Sequence, residues 1–273
     1  MRVVVLGSAH PGAFDRFVLT SLVEVSRDVV VAHRPTRSSS RSRVATARDE
    51  LLRVYRGARR GGAGPLGAVL RAPGHVVARK YVDRVWTGIA AAQEAHFGPR
   101  VGVLDLPQVT IEATTAAEQA SEVAALSPDV MVQLGWGIVR PPLLKLAPHG
   151  VLSWHHGVLP SIRGLYTPFH AVAAGRPDWL GITLQRLVER IDEGVVIERR
   201  SLDPSGVRSL IDAHLQLDEL GVQMLTRALR RLASGEVISA PGRVEREVGV
   251  YRSYPGLRDV LRYIAGRGRF FGR

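Results

Sequence analysis

The sequence predicts an α/β fold, in which a mostly parallel twisted sheet carries helices on both faces. Short continuous apolar runs at residues 1–6, 29–32 and 129–134 are typical of parallel strands that are buried on both faces. Segments with apolar residues at helical spacing, at residues 13–26 and 115–126, lie between these runs. Strands that alternate with helices build the sheet of an α/β protein.

The first strand ends at Gly7, and the loop that follows it leads into the helix at 13–26. Gly7 and Gly12 do not match the three-glycine fingerprint of a dinucleotide-binding domain, and no acidic residue follows the second strand to bind a ribose. A nicotinamide domain is therefore excluded. His10, in the same loop, is a candidate for substrate binding, and an ordinary surface histidine is the alternative.

Residues 34–75 differ in composition from the rest of the chain, because they are rich in arginine, serine and glycine around a helical pattern at 49–59. They are predicted to form a basic, mobile insertion. The net charge is +12, and residues 34–84 together with a basic, aromatic C-terminal tail at 251–273 carry more than this charge, so the remainder of the chain is mildly acidic. Such segments can contact RNA, an anionic surface or phosphorylated substrates. A solvated arginine face is the preferred interpretation, so nucleic acid is not the favoured partner.

Composition excludes several classes of protein. The chain has 273 residues, of which 45% are apolar, enough for one large domain, predicted at residues 1–250. It has no cysteine, which excludes disulfides, thiolate zinc sites and a cysteine nucleophile. No apolar run approaches the roughly 20 residues that span a bilayer, and the first residues lack the flanks of a signal peptide. A cytoplasmic protein without membrane partners is expected.

Periodicity and helix-breaking residues predict the remaining elements. These are strands at 101–104, 108–111, 182–187 and 195–197, a short helix opened by proline at 141–146, and a long helix at 210–233. The strand at 182–187 alternates apolar and polar residues, which is typical of a half-exposed strand. Residues 189–194 are therefore predicted to form a loop between this strand and its partner.

Two adjacent histidines follow an apolar run, in the segment SWHHGVLP at 153–160. Titratable residues at the carboxyl end of a buried strand indicate a binding or active site. Adjacent side chains of an extended strand point to opposite faces, so His155 and His156 cannot easily share a metal ion, and no metal site is predicted. His156 is interpreted as a hydrogen-bonded structural histidine.

Several segments, in this order, resemble the folate-dependent formyltransferase family. They are SPDV (127–130), GWGIVRP (135–141), SWHHGVLP (153–160), RG (163–164) and GIT (181–183). The family includes the catalytic domains of methionyl-tRNA formyltransferase, glycinamide ribonucleotide transformylase and sugar N-formyltransferases. The resemblance covers roughly residues 1–240. It implies the same α/β fold and formyltetrahydrofolate as the donor of a one-carbon group.

The resemblance also implies that His155 is the catalytic histidine. The family has an asparagine where this chain has Ser153, and often a proline where it has His156. Formyl transfer passes through a tetrahedral oxyanion, which needs hydrogen-bond donors, and the loss of one donor typically costs a factor of about 10² to 10³ in turnover. The hydroxyl of Ser153 can donate one hydrogen bond, although its reach is shorter than that of an amide.

The catalytic aspartate of the family lies near a loop that ends Leu-Asp-x-Gly, which IDEG at 191–194 matches. The preferred alignment places Val188 at the aspartate, where it cannot transfer a proton and would cost a factor of about 10² to 10⁴. Asp192 then shapes the loop. A shift of the loop by four residues places Asp192 at the aspartate instead, and an inward turn of Glu189 is a further alternative. The catalytic candidates are Ser153, His155 and Asp192.

Other candidate site residues follow from the same resemblance. Those implied to bind the folate are Gln133, Leu134, Gly135, Trp136, Val188, Glu189, Ile191 and Gly194, with a core position as the alternative for Trp136. Those implied to bind the acceptor are His10, Arg163 and Tyr166, of which Arg163 suits an anionic substrate or caps the loop.

The expected function is transfer of a formyl group from formyltetrahydrofolate to an amine of a small metabolite, such as an amino sugar. Methionyl-tRNA is a less favoured acceptor, because few residues follow the last position of strong resemblance. With Ser153 and Val188 in place of the usual asparagine and aspartate, activity as an enzyme is an open question. The alternatives are a catalytically degenerate homologue that binds folate or a partner, a diverged acyl or carbamoyl transferase, and an RNA-binding protein.

Overall fold

A computed structural model describes residues 1–35, 65–238, 242–243 and 248–272 of the chain. Its strands are β1 (Arg2–Gly7), β2 (Asp28–His33), β3 (Gln108–Thr110), β4 (Val130–Gln133), β5 (Val151–His155), β6 (Ile162–Gly164), β7 (Gly181–Arg186), β8 (Val195–Ser201), β9 (Gly242–Arg243) and β10 (Val250–Arg252). Its helices are α1 (Ala13–Val23), α2 (Pro65–Phe97), α3 (Ala116–Ala124), α4 (Pro141–Leu144), α5 (Thr167–Ala174), α6 (Leu210–Ala233) and α7 (Leu257–Phe270). Single turns of 3₁₀ helix occur at Gly98–Arg100, Pro177–Trp179 and Pro204–Gly206.

The main sheet of the described region has the strand order β3-β2-β1-β4-β5-β7-β8-β9. The first five strands of this order are parallel, and the last three run antiparallel to their neighbours. Parallel strands are covered on both faces, which explains why β1 and β4 read as continuous apolar runs. The predicted α/β class, with a mostly parallel sheet, is confirmed.

Side chains of β1 alternate between the two faces of the sheet, as the period of a strand requires. Val3 and Val5 point to the face that carries α1, α2 and α6, in the larger of the two main core clusters. Val4 and Leu6 point to the face that carries α3 and α4. No helix in the described residues is long and apolar enough to cross a bilayer.

The longest helix of the described region, α2, was not expected from the sequence. The predicted insertion extends to residue 75, whereas residues 65–75 are the first turns of α2. Ala78, Val82 and Ile89 are buried at helical spacing, but the many arginines around them weaken the apolar pattern. The rest of the insertion, with the helical pattern at 49–59, lies outside the described residues.

A second difference concerns residues 101–104, which were predicted to form a strand. They have no strand pairing, and the side chain of Val103 is fully exposed. A short apolar run alone does not decide between a strand and an exposed connection, because only pairing with a neighbour makes a strand.

The C-terminal segment is part of the fold. β10 pairs with β6 in a second, two-stranded parallel sheet, so the boundary predicted between residues 250 and 251 falls inside β10. Tyr263 of α7 stacks on Phe169 of α5 with 4.3 Å between ring centroids, and Phe271 is buried in the larger core cluster.

Candidate active site

Polar side chains come together near the carboxyl ends of the two central strands. Gln133 is the last residue of β4, and His155 is the last residue of β5, its parallel neighbour. Asp192 belongs to the loop between β7 and β8, which folds back toward the end of β5. The carboxyl ends of the strands are where α/β sheets bind ligands.

The imidazole of His155 is buried and has a defined neighbour at each ring nitrogen. Nε2 lies 3.2 Å from the carbonyl oxygen of Ile162, and Nδ1 lies 3.6 Å from Oδ1 of Asp192. Burial lowers the pKa of His155, and the nearby Asp192 carboxylate opposes this effect by favouring the charged ring. A Cβ on Gly157 would lie 2.7 Å from Nε2, so the glycine leaves room for the ring.

Asp192 is held in place by its own backbone and by β6. Its φ is +55°, in the left-handed region that aspartate tolerates better than most residues, and its Oδ2 accepts a hydrogen bond of 2.7 Å from the backbone N–H of Gly164. The carboxylate that faces His155 is therefore that of Asp192. The preferred alignment places Val188 at the aspartate, whereas the fold of the loop brings the residue four positions later, Asp192, to the histidine, as the alternative with the shifted loop predicts.

The neighbours of Asp192 brace the loop. Glu193 forms a buried ion pair with Arg163, at 3.4 Å. Gly194 donates a hydrogen bond to Oε1 of Gln185, and a Cβ on Gly194 would lie 2.5 Å from that atom. Glycine at the end of the loop is thus required by the close approach of β7.

Ser153 and Gln133 form a hydrogen-bonded pair on adjacent strands. The hydroxyl of Ser153 donates to Oε1 of Gln133 at 2.8 Å, and Nε2 of Gln133 donates to the carbonyl oxygen of Gly137 at 3.3 Å. The short serine is therefore accompanied by a carboxamide from β4. This combination places an amide next to the position where the family resemblance implies an asparagine, and no local pattern predicts it because the pairing crosses two strands.

The remaining residues implied to bind folate fall into two groups. Leu134 and Trp136 are buried, with the guanidinium of Arg34 placed 4.4 Å above the Trp136 ring, and Gly135 has a φ of +92° beside Ser8. Glu189 is exposed, Val188 is half-buried, and the side chain of Ile191 is 56% exposed. Trp136 therefore packs in the core and also borders the pocket described next.

The three residues predicted to bind the acceptor have different surroundings. His10 lines a cavity of about 200 Å³ together with Arg34 and Trp136. Tyr166 has a φ of +56°, and its ring packs edge-on against Trp86, with 4.3 Å between centroids. Arg163 is only 7% exposed and is paired with Glu193, an arrangement that favours the alternative in which it caps the loop. Arg34, which sequence analysis did not select, is the cation beside His10.

Thr183 is a further residue of the candidate site that was not predicted from the sequence. Its hydroxyl donates to the carbonyl oxygen of Gly157 at 2.7 Å and accepts from the N–H of Leu159 at 3.0 Å. These bonds hold the turn that follows His155 against β7. A threonine in an alternating strand carries no local signal of this role, because its partners lie about two dozen residues away in the chain.

Comparison with known proteins gives a consistent result. The family model described as "Formyl transferase" matches residues 83–228 of this chain. A methionyl-tRNA formyltransferase from Aromatoleum aromaticum is 36% identical over 126 residues, which cover 45% of this chain and 39% of that protein. One from Marinobacter nauticus is 32% identical over 131 residues, which cover 48% and 41%. The chain thus matches about two fifths of the length of these relatives.

Solved structures with a similar fold are more distant in sequence. Glycinamide ribonucleotide transformylase 1 from Symbiobacterium toebii has a TM-score of 0.54 at 16% identity, over 90% of this chain and 93% of that one. The N-formyltransferase from Helicobacter canadensis, in complex with folinic acid and dTDP-3-aminofucose, has a TM-score of 0.52 at 10% identity, over 93% of this chain and 71% of that one. These similarities establish the fold.

Proposed function

This chain belongs to the formyl transferase family, and we propose that it transfers a formyl group from formyltetrahydrofolate to an amine of a small metabolite, such as an amino sugar. The observation that carries the proposal is the pair of His155 and Asp192 beside the end of β5, with 3.6 Å between Nδ1 and Oδ1. An imidazole next to a fixed carboxylate can hold a proton, and the carboxylate stabilises the charged ring when the proton arrives.

The donor would supply the formyl group when it is bound, and exposed apolar side chains near the strand ends support its binding there. Ile138 and Ile191 are each 56% exposed, on the loops that follow β4 and β7. Exposed apolar side chains at the edge of a polar site are suited to a flat heterocycle. Ser153 and Gln133 add a hydroxyl and a carboxamide near the strand ends, which are groups that can stabilise negative charge on an oxygen.

The acceptor is proposed to carry an anionic group. His10 and Arg34 line the cavity of about 200 Å³ next to the loop after β1, and a guanidinium is well suited to a phosphate. The Helicobacter canadensis enzyme was solved with a dTDP-linked amino sugar, which combines an amine with phosphates. By analogy, a nucleotide-linked amino sugar is the class of acceptor we favour here.

Isotope labelling tests this proposal. The protein would be incubated with formyltetrahydrofolate that carries ¹³C in the formyl group and with a panel of nucleotide-linked amino sugars and simple amines, and the products analysed by mass spectrometry. We expect the label on an amine, and we expect His155→Gln to lose this transfer while still binding folinic acid. Absence of label on every amine of the panel would contradict the proposal.

A folate-binding homologue without turnover is the second candidate. The observation that favours it is that the polar groups of the site already have protein partners. Both ring nitrogens of His155 face protein groups, and the Ser153 hydroxyl donates its hydrogen bond to Gln133. A homologue of this kind should show saturable binding of folinic acid in calorimetry and no formyl transfer. The double variant Ser153→Asn, Gln133→Ala would then gain transfer activity, whereas an active wild-type enzyme would lose part of its own.

A further inference from the structure

A second histidine–carboxylate pair lies next to the first. Nε2 of His156 is 3.0 Å from Oδ1 of Asp218 in α6, and Oδ2 of Asp218 accepts a hydrogen bond of 2.7 Å from Gln93 in α2. The Asp218 side chain is completely buried, whereas that of His156 is 25% exposed. Burial of a carboxylate costs free energy unless the carboxylate is paired, and here His156 and Gln93 both contact Asp218.

The side chains of His155 and His156 lie on opposite faces of the sheet at the end of β5. His155 follows Val151 and Ser153 on the face of β5 that carries α3 and α4, since alternate residues of a strand share a face. His156 contacts α6, which covers the other face. A nucleophile attacks a carbonyl carbon from one side of its plane while charge develops on the oxygen, so a base and the oxyanion donors are needed at different places around that carbon.

His214 packs beside this pair and forms no ion pair with Asp218 among the described contacts. Its ring packs edge-on against His156 at 5.2 Å and against Trp86 at 5.4 Å between centroids. Burial lowers the pKa of His214 to about 3, so this ring is neutral at physiological pH. His156 is therefore the imidazole that interacts with the charge of Asp218. The described residues contain no group of three or more His, Asp or Glu side chains placed to hold a metal ion.

The orientation of His156 decides which nitrogen is available. Nε2 is enclosed by protein and faces Asp218, so the exposed part of the side chain lies away from it. A neutral imidazole that directs Nε2–H to a carboxylate has a lone pair on Nδ1. Within the part of the chain that the structure describes, Nε2 lies 3.0 Å from Oδ1 of Asp218 in an ion pair that is not aligned as a hydrogen bond, and Nδ1 has no such close polar contact. A carboxylate-held imidazole with one bare nitrogen is the arrangement of a general base.

We propose that His156, held by Asp218, is the base that takes a proton from the ammonium group of the acceptor. This inference rests on the proposed function. R–NH₃⁺ gives one proton to Nδ1, which leaves R–NH₂ and an imidazolium stabilised by Asp218. The nitrogen lone pair forms the new C–N bond to the formyl carbon, and the bond from that carbon to N10 of the donor breaks. A second amine proton ends on N10 of the departing tetrahydrofolate, and His156 returns its own proton to solvent.

Charged and titratable groups around His156 come from three elements. They are His155 in β5, Asp218 and His214 in α6, and Asp15 in α1, whose pKa is raised by its burial and further by Asp218. The neutral polar contacts are Gln93 on Asp218, and Thr167, whose hydroxyl donates to the His156 carbonyl oxygen. Because His214 is neutral, Asp218 is the charged side chain in contact with the His156 ring.

The test compares two amines as probes, in single-turnover reactions with formyltetrahydrofolate at pH 7. Ethanolamine is protonated at this pH and needs a base, whereas hydroxylamine is largely unprotonated and does not. We expect His156→Gln to slow transfer to ethanolamine by about 10² to 10⁴ and to leave transfer to hydroxylamine nearly unchanged. With ethanolamine, the difference in rate between His156→Gln and the wild-type protein should shrink as the pH rises toward the pKa of the ammonium group of ethanolamine. His155→Gln, the matched control, should slow transfer to both amines equally at every pH.

Nuclear magnetic resonance gives a second readout that does not depend on turnover. Two-bond ¹H–¹⁵N spectra should show neutral His156 with its proton on Nε2, and Asp218→Asn should shift this tautomer toward Nδ1–H. An Nδ1–H tautomer in the wild-type protein would overturn the inference, as would an equal deficit of His156→Gln with both amines. If the wild-type protein transfers a formyl group to neither probe and to no nucleotide-linked amino sugar of the labelling panel, the proposed function itself fails. Folinic acid binding checks that each variant is folded, and Asp218→Asn replaces His156→Gln in the rate test if the latter is not.

Discussion

At the scale of single residues, the contact of Asp192 with His155 is the feature on which the proposed activity is expected to depend most. The Asp192→Asn variant keeps a side chain that tolerates the left-handed backbone and that can accept the hydrogen bond from Gly164. It removes the charge that faces the imidazole, so we expect formyl transfer to slow by about 10² to 10⁴. Single-turnover rates measure this, with folinic acid binding as the check on folding.

Two further variants give this prediction its controls. Asp178→Asn changes an exposed carboxylate that pairs only with Arg176 among its described contacts, and the rate should not change. Val188→Asp, added to Asp192→Asn, should not restore transfer, because it is Asp192 that reaches the ring. Restoration by the new aspartate at position 188 would contradict the contact seen in the structure.

A second prediction at this scale concerns His214 and stability in acid. The pKa of His214 is lowered to about 3 by burial, whereas a histidine of the unfolded chain titrates near pH 6.5. Between these values the unfolded chain binds a proton that the folded chain does not, so the free energy of unfolding falls as pH falls. His214→Leu should remove up to about 1.4 kcal/mol per pH unit of this dependence.

Urea denaturation between pH 7 and pH 4 measures this slope. Part of the dependence should persist in His214→Leu, because burial also lowers the pKa values of His155 and His170. Met224→Leu, a buried replacement of similar volume on the same helix, should leave the slope as it is in the wild-type protein. An unchanged slope in His214→Leu would show that this ring is protonated in the folded chain.

At the scale of elements, the pairing of β6 with β10 supports the site. Gly164 has a φ of +101°, and a Cβ there would overlap the carbonyl oxygen of Arg252 in β10. We expect Gly164→Ala to lower the free energy of unfolding by about 3 kcal/mol or more, since strain and a backbone clash combine. The same change should weaken transfer, because the N–H of Gly164 donates to Asp192.

Chemical denaturation checks this prediction, with Gly206→Ala as the matched control. Gly206 has no atom within 4 Å of the position that a Cβ would take, and its φ lies outside the left-handed region. Its replacement should change the free energy of unfolding by less than about 1 kcal/mol. Equal effects of the two variants would mean that β10 does not approach β6 as closely as the structure shows.

At the scale of the whole molecule, the C-terminal segment completes the core. Val260, Tyr263 and Phe271 are buried in the larger cluster, and each such burial is worth about 1.5 to 3 kcal/mol. Their sum approaches the net stability of an ordinary domain, about 5 to 15 kcal/mol. A chain that ends at residue 247 should therefore lose its cooperative thermal unfolding transition in calorimetry. A chain that ends at Phe271 keeps all three side chains and should retain it.

The sequence by itself determined the elements that depend on local order. Continuous apolar runs predicted β1, β2 and β4, helical spacing predicted α6, and the motif around His155 indicated the candidate site. The weak apolar stripe of α2, by contrast, was obscured by arginine. Patterns of period two or 3.6 can be read locally because each side chain is assigned to a face by its neighbours in the chain.

Only the tertiary structure decided which groups meet across the fold. It brought Asp192 to His155 and buried Arg163 on Glu193. It also paired Ser153 with Gln133 and His156 with Asp218. These partners are separated by 20 to 62 residues, and no local pattern encodes their distance. A loop that folds back over a sheet can present any of several residues to the same atom, and packing and backbone conformation select among them.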